Sequence, residues 1–516
     1  PTDAVNYSEN FNSGNGSWSA EAGSSSDYLS WEYDQVAFAN TGSPSTNGWL
    51  TNLPDIAVYE SSWVKSPCFD LSSLDRPMIE LDIYRSLAKD SEGVILQATA
   101  DGGSTWLNIG EVQTGLNWYS SKRINPPPAG QAVGWTGSQP FAADAGWTEA
   151  RHDLEPVSGE SRVQFRIAFA SEHNSTETNR EGFAFDNIRI RERSRKVLLE
   201  HFTNTSANNT REINGVINGL YNWFFDDMVK LEYHTSFPGM DPFNSHNTIV
   251  PALRGLYYGV SAVPYSIMNG GYHSDLLFSY NPDSLEVNSA RAERLRDEVF
   301  SIDIQAVYQS SRVTADVSVT ALQDLVPDER IIHVAIYEKL ITNIGTINGA
   351  ENFLNVVKTM LPNVAGTAVF DGWTAGQKRN WQFSWDYANV YDPGMIRVAA
   401  FIQNDDTREV YQAEALDATN LTTGLEDKEL MNREILVYPN PATDYLYILF
   451  RDQEDSDDYR IVLYDQLGRS VLQEEIYGYE NLKQISLESL SKGVYIAQIL
   501  NGRNQPVKMS RVVILK

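Results

Sequence analysis

Most of the chain is written in short runs of alternating apolar and polar residues. MIELDIYRSL, GVILQATA, VQFRIAFAS and GFAFDNIRIRE are examples, cut at close intervals by clusters of Gly, Ser, Asn and Pro. Period-two alternation sends successive side chains to opposite faces of a strand, so each run buries its apolar face only by joining a sheet. Many such runs separated by turn residues predict a sandwich or jelly roll over residues 1–193 rather than βαβ units. Asp101-Gly102-Gly103 reads as a tight turn between two strands, with Trp106 expected to anchor the next strand in the core. No internal repeat of about 20–50 residues is visible, which argues against propellers and solenoids.

Past a basic stretch at 191–196 the pattern changes. VLLEHFTNT reads as a strand, and REINGVINGLYNWFF as a helix, with Ile213, Val216, Ile217 and Leu220 on one face. MVKLEYH is a second strand, PALRGLYYGV a second helix and AVPYSIMNGGY a third strand. DSLEVNSARAERLRDEVF reads as a closing helix capped by Asp283 or Ser284. Residues 194–297 are therefore expected to form an α/β domain. Strands dominate again over 298–418, which predicts an antiparallel Ig-like sandwich interrupted by one helical insert, NFLNVVKTML. A polar linker is expected over 419–434, then a small β domain over 435–516. The fold class expected is multidomain and mainly β.

Composition narrows the function. The chain has 516 residues, with 40 Lys+Arg against 68 Asp+Glu and a formal charge of −28. That balance disfavours nucleic acid and anionic lipid as partners, since both require clustered cations. Apolar residues make up 42% of the chain, enough for packed cores rather than disorder. A single cysteine, Cys68, excludes an intramolecular disulfide and any Cys-cluster metal site. No apolar run reaches the roughly 18 residues of a membrane-spanning helix. The start at Pro1, without Met or an apolar stretch, fits a chain whose signal peptide has been removed, and a truncated chain would look the same. Twelve Trp, 26 Tyr and few Lys suit an extracellular β-rich protein.

Three resemblances add to this reading. Glu200-His201-Phe202-Thr203-Asn204-Thr205-Ser206-Ala207-Asn208-Asn209-Thr210, followed by Val263-Pro264, resembles the thioredoxin-like domain of a Bacteroidota outer-membrane protein family. In that family two cysteines stand where this chain has Ala207 and Thr210, and Pro264 matches the proline facing them. Thiol–disulfide exchange needs an activated thiolate and a resolving thiol, so the resemblance implies a vestigial redox site. The likeness continues through the sandwich that ends near 418. SPCFDLSSLDRPMIELDIY, TADGGSTW and FAFDNIRI resemble the MAM-like or cleaved-adhesin jelly rolls of secreted bacterial adhesins. That likeness implies a structural Ca²⁺ near Asp186, with Glu9 a weaker ligand, and no other cofactor. VYPNPATDYLYILF, YRIVLYDQLGRSVLQEE, LKQISLESLSKGVYIAQILNG and MSRVVILK resemble, in this order, the type A sorting domain of type IX secretion cargo. Tyr438, Pro439, Asn440, Pro441, Gly468, Gly493, Tyr495 and Lys516 carry that signal, with Gly468 expected at a turn position needing positive φ.

GxSxG, HExxH and a phosphate-cradling Gly loop are all missing from the sequence. His201 and His234 fall on neighbouring expected strands, with Asp241 close by, where an acid/base or metal role would have to arise. The combined reading is a secreted or cell-surface, non-catalytic, adhesin-like binding protein. Its partners would be the type IX outer-membrane translocon with its shuttle and attachment components, and a glycan or protein ligand. The alternatives are a secreted hydrolase with a carboxylate or His site, and a structural subunit of a surface layer or filament.

Overall fold

The computed structural model describes residues 7–37, 47–52, 59–138, 146–172, 180–207, 209–280, 287–342, 344–346, 348–350, 352–420, 435–438, 442–450, 458–465, 468–477, 482–502 and 506–515. The protein is mainly β, and the described residues form several separate sheets and no barrel. It divides into two compact units: residues 1–194 together with 291–296, and residues 195–290 together with 297–516.

The first unit is an antiparallel two-sheet sandwich. One sheet runs in the order Trp31–Gln35, Asn47–Thr51, Gly182–Glu192, Pro77–Ser86 and Thr148–Asp153, and Tyr7–Glu9 also pairs with Gly182–Glu192. The other runs Ser19–Ala22, Tyr59–Phe69, Val163–Glu172, Glu92–Thr99 and Leu107–Asn108. Their inner faces meet in one aromatic core, where Phe11, Trp18 and Phe185 stand 5.6–6.2 Å apart between ring centres. Tilted and edge-on rings at these separations add to the burial term. Trp106 does not anchor that core. It is half-buried, and the Arg166 guanidinium lies over its ring at 4.2 Å and over Trp63 at 5.0 Å. The short strand after Trp106 belongs to a sheet edge, so its ring faces outward. Cys68 is likewise only half-buried.

In the second unit, Val197–Thr203 and Met228–His234 pair in parallel through the crossover helix α1 (Thr210–Trp223). Two short helices follow, α2 (Pro242–His246) and α3 (Ile249–Tyr258), before the antiparallel strand Tyr265–Met268. The expected α/β order is therefore present. The expected closing helix is reduced among the described residues to α4 (Val287–Glu293). Its C-terminal end belongs to the first unit, where Arg294 binds Asp153 at 2.5 Å and Glu155 at 2.7 Å. Buried carboxylates need cations, and this segment supplies one to the sandwich.

Two sequence expectations fail here. NFLNVVKTML is no helix but the strand Asn352–Leu361, parallel to Met228–His234 and antiparallel to Arg330–Thr342. A register shift opposite Ile336/Tyr337 breaks its alternation, which made the apolar spacing mimic a helix. That strand also removes the division at 297. The α/β strands and the strands from 330 to 417 form one continuous sheet, in the order Leu277–Phe278, Tyr265–Met268, Val197–Thr203, Met228–His234, Asn352–Leu361, Arg330–Thr342, Ile396–Asn404 and Val410–Asp417. A four-stranded sheet built on Phe300–Gln309 and Arg312–Ala321 packs on the antiparallel half and shares its core, including Val317, Val334 and Val398. The expected linker also begins late, since Thr419–Asn420 still pairs with Phe300–Gln309. Residues 435–515 form a smaller sandwich of a three- and a four-stranded sheet around Leu446, Ile448, Ile461, Leu463 and Ile499.

Candidate functional site

The structure distributes the candidate residues over four places. In the C-terminal sandwich, Tyr438 closes the strand Ile435–Tyr438, opposite Tyr447. Gly468 has φ 72°, as its turn position requires, and its N–H donates to the Asp465 carbonyl at 2.9 Å. A Cβ there would lie 2.6 Å from the Gly219 Cα of α1. Gly493 opens the strand Gly493–Asn501 against the Tyr495 ring, and the Tyr495 hydroxyl donates to the Ser491 carbonyl at 2.8 Å. Pro439, Asn440, Pro441 and Lys516 lie outside the described residues.

At the two positions that the resemblance matches to cysteines, Ala207 is buried and Thr210 begins α1. The Thr210 Oγ1 is 2.8 Å from the Asn204 carbonyl and 2.9 Å from that of Ala207, and it accepts from Asn348 Nδ2 at 3.1 Å. Pro264 is buried, next to Tyr265, whose register partner is Phe202. These two positions are thus packed, with the Thr210 hydroxyl engaged and no thiol at either.

The two histidines come onto the same sheet, with His201 opposite Glu232 and His234 opposite Thr203, but each has its own partners. His234 Nδ1 is 2.9 Å from Asp241 and Nε2 is 3.1 Å from Glu232. Two carboxylate acceptors require both ring nitrogens to donate, so the ring is an imidazolium. Lys230 then binds the other Glu232 oxygen at 2.6 Å, giving a buried chain of alternating charge. Burial alone lowers the His234 pKa, but the bonds from Asp241 and Glu232 override it and raise it to about 9. Burial also works to raise the Glu232 carboxyl, yet Lys230 and His234 hold it well below the usual carboxylate range. His201, between Ser266 Oγ at 2.8 Å and Asn214 Oδ1 at 2.9 Å, is driven by burial to about 4 and stays neutral.

These shifts have opposite linkage signs. A raised histidine stabilises fully below its unfolded value near 6.5, and loses that contribution as pH rises towards 9. A depressed one contributes above that value and loses it as pH falls towards 4. The stability gap between the native chain and His234→Asn should therefore narrow between pH 6.5 and 9, by at most about 1.4 kcal/mol per pH unit. Urea midpoints across that range measure it, and a gap independent of pH would contradict the charged assignment.

Asp186 is buried on Gly182–Glu192 at a register shift, and its Oδ1 accepts from the Asn187 N–H at 2.6 Å. Glu9 Oε1 accepts from the Phe11 N–H at 2.7 Å. A Ca²⁺ ion takes about six to eight oxygen ligands. Among the described residues no group of three or more His, Cys, Asp or Glu stands together as a cation site.

A fifth place holds none of the residues expected from sequence. A cleft of about 290 Å³ opens in the first unit, lined by Arg85, Gln113, Asn117, Ser120 and Thr148 over Trp118, Tyr119 and Trp135. Its wall is the loop 110–121. Gly110 (φ 77°) and Gly115 let this loop lie on His152, since a Cβ at either would come within 3 Å of that ring. Three bonds then pin it: Trp118 Nε1 to the Ile109 carbonyl at 2.8 Å, Trp135 Nε1 to the Asn117 carbonyl at 3.0 Å, and Tyr119 OH to the Leu96 carbonyl at 3.1 Å. Gln113, Asn117 and Tyr119 all hold positive φ, 62°, 49° and 34°. Each such residue costs about 1–3 kcal/mol, and such strain clusters where a surface is shaped for use. A larger hollow of about 400 Å³ lies over the four-stranded sheet. Its side chains already pair with each other, Ser318 with Asn380 and Gln382 with Asp316, and it is a polar sheet surface rather than a shaped site.

Residues 436–515 match the secretion system C-terminal sorting domain family. The last sandwich is thus a type IX sorting domain, which addresses the chain to the cell surface or the medium. Among the described residues no helix is long and apolar enough to cross a membrane. No curated protein sequence matches the chain significantly. Among solved structures, HBP35 of Porphyromonas gingivalis is similar at 15% identity and TM-score 0.37, covering 62% of this chain and 98% of its own. The K1 cleaved adhesin domain of Lys-gingipain from Porphyromonas gingivalis W83 is similar at 16% identity and TM-score 0.25, covering 37% and 100%. A domain of the outer membrane lipoprotein Omp28 from the same species is similar at 12% identity and TM-score 0.19, covering 24% and 99%.

Proposed function

We propose that the protein is an exported, non-catalytic binding protein: the 110–121 cleft holds the ligand, and the sorting domain engages the type IX translocon and its attachment components. The observation that carries this reading is the cleft itself, a pinned and strained loop over a rigid aromatic floor with polar groups at its rim. Prebuilt concave sites of this kind bind without paying for ordering on contact.

The non-catalytic part rests on the committed chemistry of the remaining candidates. Ala207 and Thr210 offer no thiolate. His234 has both nitrogens engaged by carboxylates, so it has no lone pair to serve as a base. The full chain should retain a glycan or protein from an array, and Ser120→Trp, which fills the exposed rim, should release it while the chain stays folded. Retention unaffected by that substitution would place the ligand elsewhere.

A further inference from the structure

The first unit pairs most of its buried and half-buried arginines with acids. Arg151 binds Glu149, Arg193 and Arg294 bind Glu155, and Arg191 and Arg180 reach Glu80 and Glu92. Arg166 instead bonds the Gln97 amide oxygen at 2.8 Å and is covered by Trp63 and Trp106, whereas Arg85 has neither an acid nor an aromatic cover among the described residues. Arg85 is half-buried in the cleft, and among the described residues its guanidinium meets only the Thr136 carbonyl and, at 3.2 Å, the Ser120 hydroxyl. Both bonds use Nη1. Burial lowers its pKa.

The position follows from the strand. Arg85 shares the side of Pro77–Ser86 that carries Leu81 and Ile83 into the core, so it is an inward-facing cation at the point where the core ends and the cleft begins. A chain with 68 acidic residues has left this inward-facing cation without a carboxylate among the described residues. A desolvated charge without a counter-charge is costly, and an incoming anion removes that cost.

We propose that the cleft recognises a carboxylate-bearing sugar, a uronic acid unit of an acidic polysaccharide, with Arg85 as the receptor of the carboxylate. This rests on the cleft being the binding site. The free edge of the guanidinium, Nε with Nη2, presents two parallel N–H donors, and that spacing suits the two oxygens of a planar carboxylate. Gln113, Asn117, Ser120 and Thr148 around it are neutral donors and acceptors suited to hydroxyl groups. The acid therefore supplies the charge and the sugar ring fits the neutral rim.

Calorimetric titration of the full chain with oligogalacturonate, oligoglucuronate and oligomannuronate tests this, each beside its methyl ester and a sulfated galactan oligomer. At least one free acid should bind about tenfold or more tightly than its ester. Arg85→Gln should reduce the acid to the affinity of the ester with an unchanged unfolding midpoint. Arg85→Lys, which keeps the charge but loses the paired edge, should fall between them. Equal binding of acid and ester, preference for the sulfated oligomer, no binding of any uronate, or a folded Arg85→Gln that binds as the native chain would each overturn the proposal. A neutral ligand released by Ser120→Trp but not by Arg85→Gln removes the carboxylate reading and keeps the cleft. A ligand indifferent to both removes the cleft as well.

Discussion

Removal of residues 435–516 is expected to abolish surface display and leave the remainder of the chain in the periplasm. The sorting domain works as a folded object. Its core joins Ile435 and Leu446 at one end of the segment to Ile499, Val512 and Ile514 at the other, so no part of it folds without the rest. The last strand, Pro506–Ile514, pairs with Gly493–Leu500 and carries Val512 and Ile514 into the core, and losing it would expose that strand and open the core. Deleting 506–516 should therefore be as severe as deleting the whole domain. Gly468→Val is a milder test of the same object, since Val cannot adopt φ 72° without strain and its Cβ would meet the Gly219 backbone. Protease shaving of intact cells and fractionation report all three. Normal display after either deletion would sink the assignment of the export signal.

Arg254→Met is expected to cost about 3–5 kcal/mol of stability, the loss typical of breaking a buried ion pair from one side. Glu200 is fully buried on Val197–Thr203 and is held by four donors. Arg254 Nε and Nη2 bind it at 2.7 and 2.9 Å, Tyr258 OH at 2.6 Å and Tyr233 OH at 3.0 Å. Arg254 also reaches Gln403 Oε1 at 2.8 Å, on the antiparallel half of the same sheet. Its removal leaves a carboxylate in an apolar interior and unties α3 from both halves. Glu200→Gln combined with Arg254→Met should recover part of the loss, because the stranded charge is gone. Urea unfolding of the two single variants and the double variant reads the coupling, and a loss under about 1 kcal/mol for Arg254→Met would show that water reaches the pair.

Much of the fold was legible because its signals are local. Alternating runs and turn glycines restrict the backbone within a few residues, so the N-terminal sandwich and the C-terminal one could be read in order. The crossover α1 and α3 were legible by their apolar spacing. The failures share one cause. Asn352–Leu361 has an apolar spacing compatible with a helix, and it is a strand because two neighbours on either side complete its hydrogen bonds. The single sheet running across residue 297 follows from that insertion. Trp106 carries no local mark distinguishing a core ring from one covered by an arginine of a neighbouring strand.

The candidate site divides in the same way. That Ala207 and Thr210 stand where the resemblance would place cysteines is a matter of residue identity, and the sequence alone carries it. It also determined the sorting domain, since Gly468 and the other motif residues lie within one contiguous segment of about 80 residues. The tertiary structure alone decided that His234 is charged and His201 neutral, because protonation depends on which carboxylates the fold brings within 3.1 Å. It alone decided that 291–296 completes the first unit. It alone assembled the cleft, from Arg85, the loop 110–121, Trp135 and Thr148, and left Arg85 without an acid among the described residues. Residue identity and short-range backbone limits are written along the chain. Burial, charge pairing and the shape of a cleft depend on residues far apart in it, and are set only when the sheets close.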